Sequence, residues 1–122
     1  MTAPLTPAAQ RLATAFGALA CGLAVALAAY AAHAPLETVA KGRLEVAVFQ
    51  LAVHALALCI FAPRQRHRFD IAPLIAWILG MLLFCGSLVA AALWNASTAL
   101  APIGGMLLIV GWLLQTVASL RR

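Results

Sequence analysis

Charge is what this chain has least of. Only 9% of its 122 residues are charged, and Asp and Glu together number three. A soluble domain carries roughly 25% charged residues, so a chain this poor in charge cannot cover a core with a solvated surface. Cysteine is scarce too. Cys21, Cys59 and Cys85 fall in three different apolar runs, an odd number with no Cys-x-x-Cys pair. That spacing excludes a disulfide framework and a zinc site, and the three thiols read as small apolar packing residues. Long polar stretches are also missing. Residues of hydrophobic type make up 66% of the chain. At about 20 residues per span, four spans and short loops use it up. The expected fold is all-α, an integral membrane bundle of four transmembrane helices. The helices are expected at about 12–32, 44–62, 71–94 and 102–120, within one membrane domain over 1–122.

What charge there is sits at helix ends. The net charge of +5 could suggest nucleic acid, but no basic face runs along a helix, and anionic lipid headgroups are the nearer partner. The most basic run is Pro-Arg-Gln-Arg-His-Arg-Phe-Asp at 63–70. Arg64, Arg66 and Arg68 therefore carry the topology signal or meet lipid headgroups. Placing this loop inside also puts Arg11, Arg121 and Arg122 inside and leaves Lys41 and Arg43 outside. The positive-inside rule then gives both termini cytoplasmic, in a multi-pass protein of a bacterial cell inner membrane.

Along the chain, Thr6-Pro7 is a helix start, and the first apolar run follows Arg11. Its Ala29-Tyr30-Ala31 end resembles a signal-peptide cleavage site. The run is longer than a signal core, however, and three more apolar segments follow, so it reads as a transmembrane helix. Residues 33–44 are expected as a connection containing Pro35. Small residues recur at helical spacing: Gly17, Ala20, Cys21, Ala24 and Ala28 in the first helix, Gly86 with Ala90 in the third, Gly104, Gly111 and Ala118 in the fourth. Such faces allow close helix packing. Gly104 and Gly105, just after Pro102, open the fourth helix to another backbone.

Polar residues inside apolar segments need a reason. Gln50 and His54 are one turn apart on the second helix and share a face. Ser87, Gln115 and the backbone at Gly104-Gly105 are their natural partners. Gln50, His54, Ser87 and Gln115 thus form the candidate intramembrane polar site. It is either a hydrogen-bonded clamp between helices or a proton- or ligand-contacting pair in a cavity. Haem ligation by His33 and His54 fails on depth, because the two lie roughly 15 Å apart along the membrane normal at 1.5 Å per residue. Ser87 lies 17 residues from Asp70 and His54 nine from Pro63, so they do not share a level. No catalytic, metal or cofactor residues are expected.

Several fragments, taken in order, carry a resemblance. They are Ala31-Ala32-His33-Ala34, the His54-Ala55-Leu56-Ala57-Leu58 run, Phe84-Cys85-Gly86-Ser87-Leu88, Ala101-Pro102-Ile103-Gly104-Gly105, and Gly111-Trp112. Together they resemble the DUF423 family of small bacterial membrane proteins, whose eukaryotic relatives are called transmembrane protein 256. The resemblance implies a four-helix integral membrane protein and supplies no activity. Ala31 stands where the family tends to have Gly, Cys85 where it has Ser, and Gln50-Leu51 where it has a Tyr-Gln pair. The expected function is a non-catalytic accessory or interaction subunit, with the lipid bilayer and a larger membrane complex or homo-oligomer as partners. Two alternatives stand beside it: a small oligomeric transporter or channel lined by Gln50 and His54, and a lipid- or quinone-binding membrane protein.

Overall fold

The computed structural model describes residues 3–121. It contains four helices long and apolar enough to cross a membrane. They are α1 (Pro7–His33), α2 (Thr38–Phe61), α3 (Ile71–Trp94) and α4 (Ala101–Leu120). Two 3-10 turns, Ala62–Arg64 and Arg68–Asp70, join α2 to α3.

Local chemistry sets the helix ends. The Thr6 hydroxyl accepts from the Ala9 N–H at 3.2 Å, and Pro7 occupies the first turn, where its missing N–H costs nothing. At the far end Pro35 holds Ala34 extended (ψ 146°) and stops α1. The connection is only residues 34–37, because α2 starts at Thr38 rather than near 44. Lys41 and Arg43, expected in a loop, lie in its first two turns. At 1.5 Å per residue its 24 residues reach about 36 Å, so α2 is not the short helix its apolar run suggests. Asn95 ends α3 in the left-handed conformation (φ 55°), which a short polar side chain tolerates.

The helices pack mainly in chain order, α1 on α2, α2 on α3 and α3 on α4. Small residues set the closest approaches. A Cβ built on Gly17 would lie 2.8 Å from the Ala55 carbonyl oxygen, so α1 meets α2 backbone to backbone. One on Gly104 would lie 2.3 Å from the Phe84 nitrogen, and one on Gly111 2.5 Å from Cδ1 of Trp77. Ala24 is also buried, against the core. Gly105 meets only the edge of the Phe84 ring at 3.5 Å. Gly86 departs from the packing expected of it. It is exposed and has no neighbour within 4 Å of a built Cβ, because it faces a groove rather than a helix.

That groove, of about 300 Å³, runs between α1 and α3 over Leu51 and Met81 and is almost wholly apolar. A second, of about 340 Å³, runs between α2 and α4 over Phe84. The chain-order packing leaves these two flanks open.

The two ends of the described chain, Ala3 and Arg121, lie at the end of the bundle that carries the basic loop. The Leu5 N–H donates to the Arg66 carbonyl at 3.1 Å and the Arg68 N–H to the Ala3 carbonyl at 3.0 Å. The lead segment is thus paired antiparallel to the loop, with Pro4 opposite His67.

Candidate functional site

The four residues expected to share one intramembrane site occupy three different places. His54 and Gln50 remain together in mid-helix. Ser87 belongs to the opposite end, where its hydroxyl donates to the Ser97 carbonyl at 3.3 Å and ties α3 to the α3–α4 turn. Gln115 belongs to the basic end. Neither is a partner of His54, because each sits at the wrong level along its helix.

The partner of His54 is Trp112. The indole Nε1–H donates to His54 Nε2 at 3.0 Å, and His54 Nδ1 lies 2.7 Å from the Gln50 carbonyl oxygen. An indole N–H can only donate and a carbonyl can only accept. The neutral ring with its proton on Nδ1 therefore satisfies both bonds. Taking up a second proton would break the bond to Trp112. His54 is 3% exposed, so both bonds are made out of water.

Around this pair sits an aromatic cluster drawn from three helices. The Trp77 and Trp112 ring centroids are 4.7 Å apart, and Phe61 lies 5.8 Å from Trp77 and 6.3 Å from Trp112. Trp77 is fully buried against Gly111. Its indole N–H has no acceptor among the described residues.

Gln50 is different. It is half-buried and, with Val53, His54, Gly105, Ile109 and Trp112, lines the open α2–α4 groove. Its backbone carbonyl is used by His54, but its side-chain carboxamide has no hydrogen-bond partner among the described residues. Position 50 is the thirteenth of the 27 residues in this span and the fifth of the uncharged run that follows Glu45. An amide in hydrocarbon without a partner costs several kcal/mol, about 4–8 on a cyclohexane reference.

Sequence reasoning missed a second polar cluster at the basic end. Gln65, in the loop between Arg64 and Arg66, is fully buried. Its Nε2–H donates to Gln115 Oε1 at 2.7 Å, and Gln115 Nε2–H donates to the Ser119 hydroxyl at 3.1 Å. Gln10 of α1 donates to the Gln65 carbonyl at 2.6 Å. One loop residue thus joins α1 to α4, a pair that does not pack extensively. Asp70, the residue before α3, accepts from the His67 N–H at 3.3 Å and closes the turn that leads into the helix.

Trp112 was findable. The second and fourth helices run in the same direction, and His54 stands nine residues before Pro63 while Trp112 stands nine before Arg121. Equal counts from the same end put the two at one depth. Gln65 had no such signal, since a glutamine among arginines reads as solvated.

Among the described residues no three His, Cys, Asp or Glu side chains converge as metal ligands would.

Residues 27–105 match the family model described as Protein of unknown function (DUF423). The chain is also 32% identical over 104 residues to a UPF0382 membrane protein of Haemophilus influenzae, covering 80% of this chain and 84% of that one. No solved structure matches. The matched stretch runs from the end of α1 through Gly105, so it contains Gln50 and His54 but stops short of Trp112. With most of its length matched and four apolar helices in place, this chain is a membrane protein belonging to the DUF423 family.

Proposed function

We propose that this chain is a non-catalytic interaction subunit of a bacterial inner-membrane complex, with its basic end and both termini in the cytoplasm. The observation that carries the reading is the carboxamide of Gln50, within an apolar run, in an open groove and without a hydrogen-bond partner among the described residues. Lipid tails cannot satisfy that group, and polar side chains act as glue between transmembrane helices. The occupant of the α2–α4 groove is then a transmembrane helix of another subunit that presents a hydrogen-bonding group to Gln50. Ile109 on the groove rim is exposed and gives such a helix an apolar contact.

The transporter reading also runs through Gln50 and His54, which line that same groove. His54 has both ring nitrogens committed inside the chain, which suits a clamp better than a proton carrier.

Photocrosslinking in native membranes tests the interaction reading. A photoreactive residue at Ile109 should give a discrete protein adduct, and one at Val25, exposed on α1 outside both grooves, should give none. Only lipid adducts at both positions would refute it.

A further inference from the structure

The basic end of the bundle carries two recesses that meet at one residue. One, of about 580 Å³, is lined by Pro63, Arg64, Arg66 and His67. The other, of about 460 Å³, runs down α1 past Pro7, Arg11, Thr14, Ala15 and Ala18 and also reaches Pro63. The first is cationic. The second begins beside Arg11 and continues into the apolar part of the span, over about 16 Å from Pro7 to Ala18 at 1.5 Å per residue.

The backbone that presents the arginines is fixed before any ligand arrives. Gln65, between them, is fully buried and bonded to Gln115, its carbonyl takes a bond from Gln10, and the Arg66 carbonyl is held by Leu5. The Arg64 guanidinium donates to the Ile60 carbonyl, which folds it back over the end of α2. An arginine has five N–H donors, so most of its fork remains to be used. Arg68 lies over the exposed Phe69 ring at 5.4 Å. Against Arg11, Arg64, Arg66, Arg68 and Arg121, this end has one described carboxylate, Asp70, and it is bound to the His67 N–H. The ligand that suits a positive recess continuous with an apolar channel has an anionic head and a hydrocarbon tail.

We propose that this end holds one anionic phospholipid, its phosphate against Arg64 and Arg66 and one acyl chain along α1 over Ala15 and Ala18. Planar arginine forks match phosphate oxygens bidentately. Pro63 and Arg11 lie where the glycerol level would be. The site is remote from the α2–α4 groove, so it stands whether or not a partner helix binds there.

Native mass spectrometry of the detergent-purified protein, offered phosphatidylglycerol or phosphatidylcholine with identical acyl chains, tests the proposal. Phosphatidylglycerol should be retained in preference. Arg64→Gln with Arg66→Gln should weaken its retention roughly 30-fold, about fivefold per arginine near the surface. Should the double variant lose its helical circular dichroism, Arg66→Gln alone, at an exposed position, should still show the fivefold loss. Ala18→Phe, which fills the channel and leaves the arginines untouched, should also weaken retention. Equal retention of the two lipids would overturn the site. Displacement of phosphatidylglycerol by inorganic phosphate together with indifference to Ala18→Phe would identify a free-anion site and overturn the lipid assignment.

Discussion

Two glutamine sites in one small bundle are built to opposite rules. At the basic end, Gln65 is buried and its carboxamide is bonded to Gln115, while Gln10 and Ser119 complete the chain of bonds. Within the apolar run of α2, Gln50 faces an open groove, and its carboxamide has no hydrogen-bond partner among the described residues. The first group lies where water is near, yet it is enclosed. The second lies in an apolar run, yet it is left open. A closed polar cluster fixes helix positions. An open one at membrane depth is a demand on something outside the chain. His54 stands between the two cases: it shares a helix face with Gln50, but Trp112 and the Gln50 carbonyl satisfy it.

That contrast can be broken in graded ways. Gly104 belongs to neither site but fixes α4, which serves both, since a Cβ there would meet the Phe84 backbone. Gly104→Val should cost about 3 kcal/mol of stability, read as a fall in the thermal unfolding midpoint in detergent, and should disturb both sites together. Gln65→Ala leaves the buried Gln115 oxygen without its donor and should cost about 2 kcal/mol. Adding Gln115→Leu to it should restore part of that loss, because no polar group is then stranded. A fully additive cycle would mean that the pair is not one site. Trp112→Phe removes the donor to His54 and keeps most of the ring packing, so it should cost about 1 kcal/mol. Smallest of all, Gln50→Leu should change the stability of the isolated chain by less than about 0.5 kcal/mol, because no bond among the described residues uses its carboxamide.

The sequence made the helices legible and the pairings across them only partly so. Apolar run lengths, Thr6-Pro7 and the turn after Trp94 located four helices, and the small-residue spacing anticipated the contacts at Gly17, Gly104 and Gly111. The start of α2 was hidden because Lys41 and Arg43 look like loop residues, although they sit comfortably where a helix meets water. Gln50 and His54 stood out because polar residues are costly inside an apolar run. Their surroundings depended on the relative depth and rotation of α4, which helical periodicity within one segment does not encode. Depth could be had by counting from the basic end, and that count pairs His54 with Trp112. The same count puts Ser87 at the far end and Gln115 nearer the basic end, while the rotation that decides what each side chain faces could not be read. The burial of Gln65 depended on the two 3-10 turns that reverse the chain, which arginine-rich composition conceals.

The central claim is that Gln50 is reserved for a partner. The direct test is the mass of the native assembly extracted in mild detergent, compared between the natural chain and Gln50→Leu. The natural chain should travel in a particle larger than its own 12.7 kDa, and Gln50→Leu should release it as a folded monomer with its helical circular dichroism intact. An assembly of equal size and stability in both, or a monomer in both, would contradict the account.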